Sequence, residues 1–261
     1  MNEIIKVRSA SYGRYEELLL RRDRLKKEAY YIELKYARVF GELLIALYEE
    51  QIKCVKLKKT IEFCQAALNH GKPVDTTALR EFIADATALL RQNLDDLVAQ
   101  HKEATAMTRI TEAEADQITK IYRRIAKQIH PDVNPMTADS PKLLDLWNQT
   151  ILAYKNNDLK YLQDLEVLVV AALEKLTRGL QIEIDIPDVE ERIAAVEREI
   201  VDILETNPYQ YKFILYDKNA VEEKKTALRE ELRQYQDYGA QLEARLKLIF
   251  PYGNSDIWET I

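Results

Sequence analysis

The sequence predicts an all-α protein made of antiparallel coiled-coil helical hairpins. Three observations carry that expectation. Only six Gly and seven Pro interrupt 261 residues, so long stretches lack the residues that stop helices. Charged residues make up 31% of the chain, and Leu, Ala and Ile supply much of its apolar part, the make-up of long amphipathic helices. The apolar residues recur at alternating spacings of three and four over most of the length, which is the period of one helix face.

The first long helix is expected from about Arg14 to Asn69. Leu18, Leu25, Ile32 and Val39 repeat every seven residues, with Ala29, Tyr36 and Leu43 filling the second position of a heptad seam. The phase then slips, and Cys54, Leu57, Ile61, Cys64 and Leu68 resume the alternation. Asn69-His70-Gly71-Lys72-Pro73 is a stop signal, a Gly just past the last periodic residue followed by Pro. Asp75 is placed to cap a second helix, striped by Leu79, Ile83, Ala86, Leu90 and Leu97. The short turn makes the two helices antiparallel neighbours. His70 reads as an exposed turn residue, and no partner is evident for His101.

Thr111 and Glu114 fit a capping box. The helix they open ends near Ile129, with Ile118, Ile121, Tyr122, Ile125 and Ile129 as its buried face. A loop over 130–135 follows. Ser140 before Pro141 then starts a helix striped by Leu143, Leu144, Trp147, Ile151 and Tyr154. Asn156-Asn157-Asp158 is a break and cap, and a further helix carries Leu162, Leu165, Val169, Ala172 and Leu176. Gly179 to Pro187 reads as an extended linker. Asp188 with Glu191 is a second capping signature. Two last helices, one striped by Val189, Ile193, Val196, Ile200 and Ile203 and one by Leu228, Leu232, Tyr235, Gly239, Leu242, Leu246 and Ile249, are expected to pair as an antiparallel coiled coil. Trp258 in the tail reads as a satellite core anchor. The domains expected are therefore 1–108, a long-helix hairpin; 109–180, a central helical hairpin; and 181–261, a coiled coil.

Composition narrows the function classes. The formal net charge is -6, which gives no global case for nucleic acid or an anionic membrane as partner. No run approaches the roughly 18 apolar residues of a membrane helix, and the N-terminus lacks a signal-peptide core. Cys54 and Cys64 would lie about 15 Å apart along one helix, too far to bridge within it. They read as small buried hydrophobes in a reducing compartment, so the expected location is cytoplasmic. No ligand spacing for a metal, Gly-rich phosphate loop or nucleophile elbow is present, so neither an enzyme nor a cofactor is expected.

One segment carries a local chemical signal. Lys120, Arg123, Arg124 and Lys127 are spaced three, one and three apart, so they share a face of the helix opposite or beside its isoleucines. In an acidic chain this cationic stripe suits an acidic partner surface. The stripe runs straight into His130-Pro131-Asp132. Pro131 fixes its own φ and holds His130 extended, which ends the helix at a set point. Asp132 supplies acceptors for loop amides or for a partner's arginine.

From Ile121 to Pro135 the sequence resembles the second helix and following loop of DnaJ-family J domains. Tyr122-Arg123 and Ala126 stand at family-like spacing before His130, and Asn134-Pro135 follow it as in the family. Trp147, Ala153 and Tyr154 match the aromatic and Ala-Tyr pattern of the family's third helix. The resemblance covers about Thr111 to Leu165. It departs from the family in lacking the short first helix just upstream, whose packing place the helix over 76–105 is expected to take. Neither a Gly/Phe-rich linker nor a zinc-binding cysteine region follows. The resemblance implies a co-chaperone that binds a DnaK-type ATPase and stimulates it. Lys120, Tyr122, Arg123, Arg124, Lys127, His130, Pro131, Asp132 and Asn134 would form the partner-binding surface, and the coiled coils would bind a client or self-associate. The other reading is a coiled-coil scaffold or adaptor in which this hairpin merely packs. The first reading expects the basic stripe and the loop to form one open surface.

Overall fold

The computed structural model describes residues 10–106, 110–176 and 188–250. Among them the protein is all-α, with nine helices and no strand. They are α1 (Ala10–Asn69), α2 (Thr76–Ala106), α3 (Glu112–Ile129), α4 (Pro135–Asp139), α5 (Pro141–Lys155), α6 (Leu159–Leu176), α7 (Val189–Glu205), α8 (Tyr211–Leu215) and α9 (Lys218–Ile249). The expected linker over 179–187 and Trp258 lie outside the described residues.

The chain forms two compact units. One comprises Met1–Tyr30 with Thr108–Gln210, the other Tyr31–Met107 with Tyr211–Ile261. α1 contributes to both units, and α7 and α9, expected as partners in one coiled coil, belong to different ones.

In the first unit α3, α5 and α6 pack on one another around a core of Ile118, Ile125, Ile129, Leu143, Trp147, Leu162, Leu165 and Val169. Several local signals act as read. Thr111 and Glu114 close the capping box, with Thr111 N–H donating to Glu114 Oε2 at 2.8 Å and Glu114 N–H to Thr111 Oγ1 at 3.2 Å. Ser140 caps α5 and Pro141 opens it. Asp158 accepts from Tyr161 N–H at 2.9 Å and so starts α6. Asp188 does not cap α7. Its backbone is left-handed, with φ 56°, and its side chain makes no cap bond, because capping needs the extended backbone that aims the carboxylate at the first free amides. α7 instead meets the first part of α1 through charge. Arg14 pairs with Glu197 at 2.7 Å, Lys26 with Glu199 at 3.4 Å, and Ser11 donates to Glu190 at 2.7 Å. A heptad stripe shows that a helix has a partner without naming it, and here the acids of α7 match the cations of α1.

In the second unit the later part of α1 lies against α2 and α9. Cys64 packs with Leu79 and Ile83 near the turn. At the other end, Gln100 donates to Glu33 at 3.3 Å and His101 to the Ala37 carbonyl at 2.8 Å. Cys54, Leu57 and Ile61 of α1 pack against Leu242 and Leu246 of α9. Both cysteines are free and buried, and burial pushes both thiols up from their usual range. Two glycines permit the close approaches. A methyl on Gly41 would run into the His101 ring, and one on Gly239 would lie 2.9 Å from Glu50 Oε1. Leu68, expected on the buried stripe, is exposed at the end of α1.

Candidate functional site

The site is built on the C-terminal half of α3. Its isoleucines and Tyr122 face the core, which turns Lys120, Arg123, Arg124 and Lys127 outward, and all four are exposed. Two of these cations are engaged within the chain. Arg124 forms a two-pronged pair with Glu166 of α6, at 2.5 and 2.9 Å. Lys127 lies 3.5 Å from Glu16 of α1. Lys120 and Arg123 form no ion pair with a described residue.

Pro131 ends α3 as its chemistry requires. His130 takes an extended backbone, φ -63° and ψ 124°, while its own N–H still donates to the Ala126 carbonyl. The His130 carbonyl then accepts from Val133 and Asn134 N–H at 2.9 and 2.8 Å, closing a tight turn. Asn134 locks that turn from both ends. Its side-chain amide donates to the Gln128 carbonyl at 2.8 Å, and its oxygen accepts from Met136 N–H at 3.1 Å, capping α4. The sequence gives no sign of α4, whose five residues are too short for a visible period.

His130 is 4% exposed, and its ring lies 4.6 Å from the Trp147 ring, centroid to centroid. Asp132 N–H donates to His130 Nδ1 at 3.1 Å. That bond occupies the Nδ1 lone pair, so a neutral ring carries its proton on Nε2. Nε2 faces Asp23 Oδ2 at 3.6 Å, long for a hydrogen bond, and Arg22 Nη2 at 3.4 Å. Arg22 also reaches Asp132 at 3.5 Å and Asp23 at 3.0 Å. Tyr122 donates its hydroxyl to Asp23 at 2.7 Å and stacks on Tyr154 with centroids 3.9 Å apart. Burial alone would raise the Asp23 carboxyl. The facing His130, the Arg22 guanidinium and the Tyr122 hydroxyl outweigh it and hold the group below its usual range. Burial and the neighbouring Asp23 push the Tyr122 phenol far up, so it acts only as a donor here.

The expected surface is thus divided. Lys120, Arg123, Arg124 and Lys127 are open, and Pro131 and Asp132 are half-buried. Tyr122, His130 and Asn134 are buried within the chain. The physical reason is the first part of α1, which brings Arg22 and Asp23 to the loop. The neighbour that joins this unit is therefore residues 10–30 of α1. α2, expected in that place, belongs to the other unit. Nothing in Arg21-Arg22-Asp23-Arg24 marked these residues as site residues, since such a run reads as a solvated helix face.

A cavity of about 420 Å³ lies beside the loop, with Tyr30, Tyr122, Trp147 and Tyr154 among its walls and Arg22, Lys26 and Lys155 among its charged lining. Two crossed contacts flank it. Lys27 Nζ sits 3.7 Å over Tyr154, and Lys155 Nζ sits 4.0 Å over Tyr30. Burial pulls the Lys27 ammonium down to about 8. Among the described residues no three His, Cys, Asp or Glu side chains converge as a metal site, and no helix is long and apolar enough to cross a membrane. Comparison of the chain with family models, with curated proteins and with solved structures found no match.

Proposed function

We propose that the protein is a J-domain-like co-chaperone that docks a DnaK-type ATPase through the outer face of α3 and stimulates its ATP hydrolysis. The observation that supports this reading is the cationic face itself. Four basic side chains are exposed on one side of a helix that runs into His130-Pro131-Asp132, in a chain of net charge -6. Lys120 and Arg123 have no ionic partner among the described residues. An anionic patch on the ATPase would gain from them without first breaking an internal pair. The bond-breaking groups belong to the partner. In this reading the chain supplies an electrostatic surface and a loop of set shape, and it acts in the cytoplasm.

The test is steady-state ATP turnover of a DnaK-type chaperone with the wild-type chain and with Lys120→Glu/Arg123→Glu. Both positions are exposed, so the double variant keeps the fold. The expected result is stimulation by wild type and at least a tenfold higher half-maximal concentration for the variant, since ~1.4 kcal/mol corresponds to a factor of ten. Absence of stimulation by wild type at any concentration contradicts the reading.

One observation favours a second reading, a scaffold in which this hairpin is structural. His130, Tyr122 and Asn134 are spent on internal contacts. A scaffold would self-associate or bind its partners with no effect of the Lys120 and Arg123 reversals and no effect on ATP turnover.

A further inference from the structure

We infer that the first part of α1 is an internal latch that competes with a docking partner for the His130-Pro131-Asp132 loop; this rests on the docking role proposed for α3. The loop groups a partner would engage are already engaged from within. Arg22 spans Asp132 at 3.5 Å, Glu199 at 3.6 Å and Asp23 at 3.0 Å, and Asp23 faces the buried His130 ring at 3.6 Å. Above the loop, the Tyr12 hydroxyl donates to the Val133 carbonyl at 3.3 Å. Beyond it, the crossed Lys27–Tyr154 and Lys155–Tyr30 contacts join α1 to α5.

The character of this seam makes it separable. The core of α3, α5 and α6 is apolar and shared among those helices, and Leu20 of α1 packs against it as a partly buried neighbour, while Tyr12, Tyr15, Leu19, Leu25 and Ala29 of α1 are also buried. At the loop itself and across to α5, α1 is held by ion pairs, a hydrogen bond and cation–π contacts. They flank the 420 Å³ cavity, where the two sides do not meet. Contacts of this kind yield to competing charge and to salt far more readily than a packed interior does. Lifting α1 from the loop therefore exposes His130 and frees Asp132 while α3, α5 and α6 stay packed. A partner that needs the loop binds with an affinity reduced by the fraction of molecules in which the latch is open.

The test uses the full chain as wild type, as Arg22→Glu, which sets a carboxylate against Asp132 and Glu199, and as Lys27→Ala/Lys155→Ala, which removes the crossed pairs without touching the loop. Helix content by circular dichroism checks each fold. The first readout needs no partner: the rate at which diethyl pyrocarbonate modifies His130, followed by peptide mass spectrometry. A rise of about tenfold in the variants is expected. Unchanged rates in both overturn the latch. The second readout is the chain concentration giving half-maximal stimulation of a DnaK-type ATPase, expected to fall about tenfold in the variants. Faster modification with no such fall overturns the competition. Faster modification with no stimulation by any form removes the docking reading and leaves a loop cover of no regulatory use.

Discussion

Asp23 shows how one carboxylate organises a site that its sequence neighbourhood does not announce. It accepts from Tyr122, faces His130 and pairs with Arg22, and these contacts hold its pKa below the usual 3.8 despite burial. The sign follows from linkage. Between its folded value and 3.8 the unfolded chain binds more protons than the folded one, so this contribution is fully present above 3.8 and is lost as pH falls through the folded value. Urea midpoints measured from neutral pH downward are expected to fall more steeply at acid pH for wild type than for Asp23→Asn. Parallel curves would show that Asp23 gains nothing from its partners. The sequence displayed the other half of this site plainly. Pro131 fixed where α3 ends, and the three-one-three spacing fixed which side chains share its outer face. Arg22 and Asp23 stayed hidden because a long-range pairing across about a hundred residues leaves no periodic trace.

At the scale of the element, legibility depended on whether a signal was local. The capping box at Thr111, the Gly71-Pro73 stop and Pro141 at the head of α5 each act within one turn, and each was readable. Stripes were readable as stripes. Ile118, Ile121, Ile125 and Ile129 are all buried, whereas Leu144 and Ile151, assigned to the stripe of α5, are exposed. They flank the inward residues Leu143 and Thr150 by one position, and one step around a helix is about 100°. Partner choice was not readable, and His101 shows why. Its ring lies over Gly41 of α1 and donates to the Ala37 carbonyl, a pairing that no periodicity marks. Gly41→Ala should gain about 0.5–1 kcal/mol of helix propensity but lose about 1–3 kcal/mol to overpacking. The expected outcome is a net loss in wild type and a neutral or favourable effect in a His101→Ala background. Equal effects in both backgrounds, measured by thermal unfolding, would remove this contact from the account.

For the whole molecule, the all-α class followed from composition and period. A helix of 60 residues such as α1 serves two packed bodies at once, and nothing in its heptads marks where one ends. The unit that holds the candidate site is therefore discontinuous in sequence, with residues 10–30 joining a core nearly a hundred residues downstream. That arrangement leaves the cationic face of α3 open and closes the loop beside it. It makes the exposed charge the feature on which the proposed function stands.

The most direct measurement of that claim is the dissociation constant of the complex with an ATP-loaded DnaK-type chaperone at increasing salt, for wild type and for Lys120→Glu/Arg123→Glu. Wild-type affinity is expected to weaken steadily as salt screens the contact, and the double variant to bind about tenfold or more weakly at low salt. Equal affinities that salt does not move, or no complex at all, would contradict it.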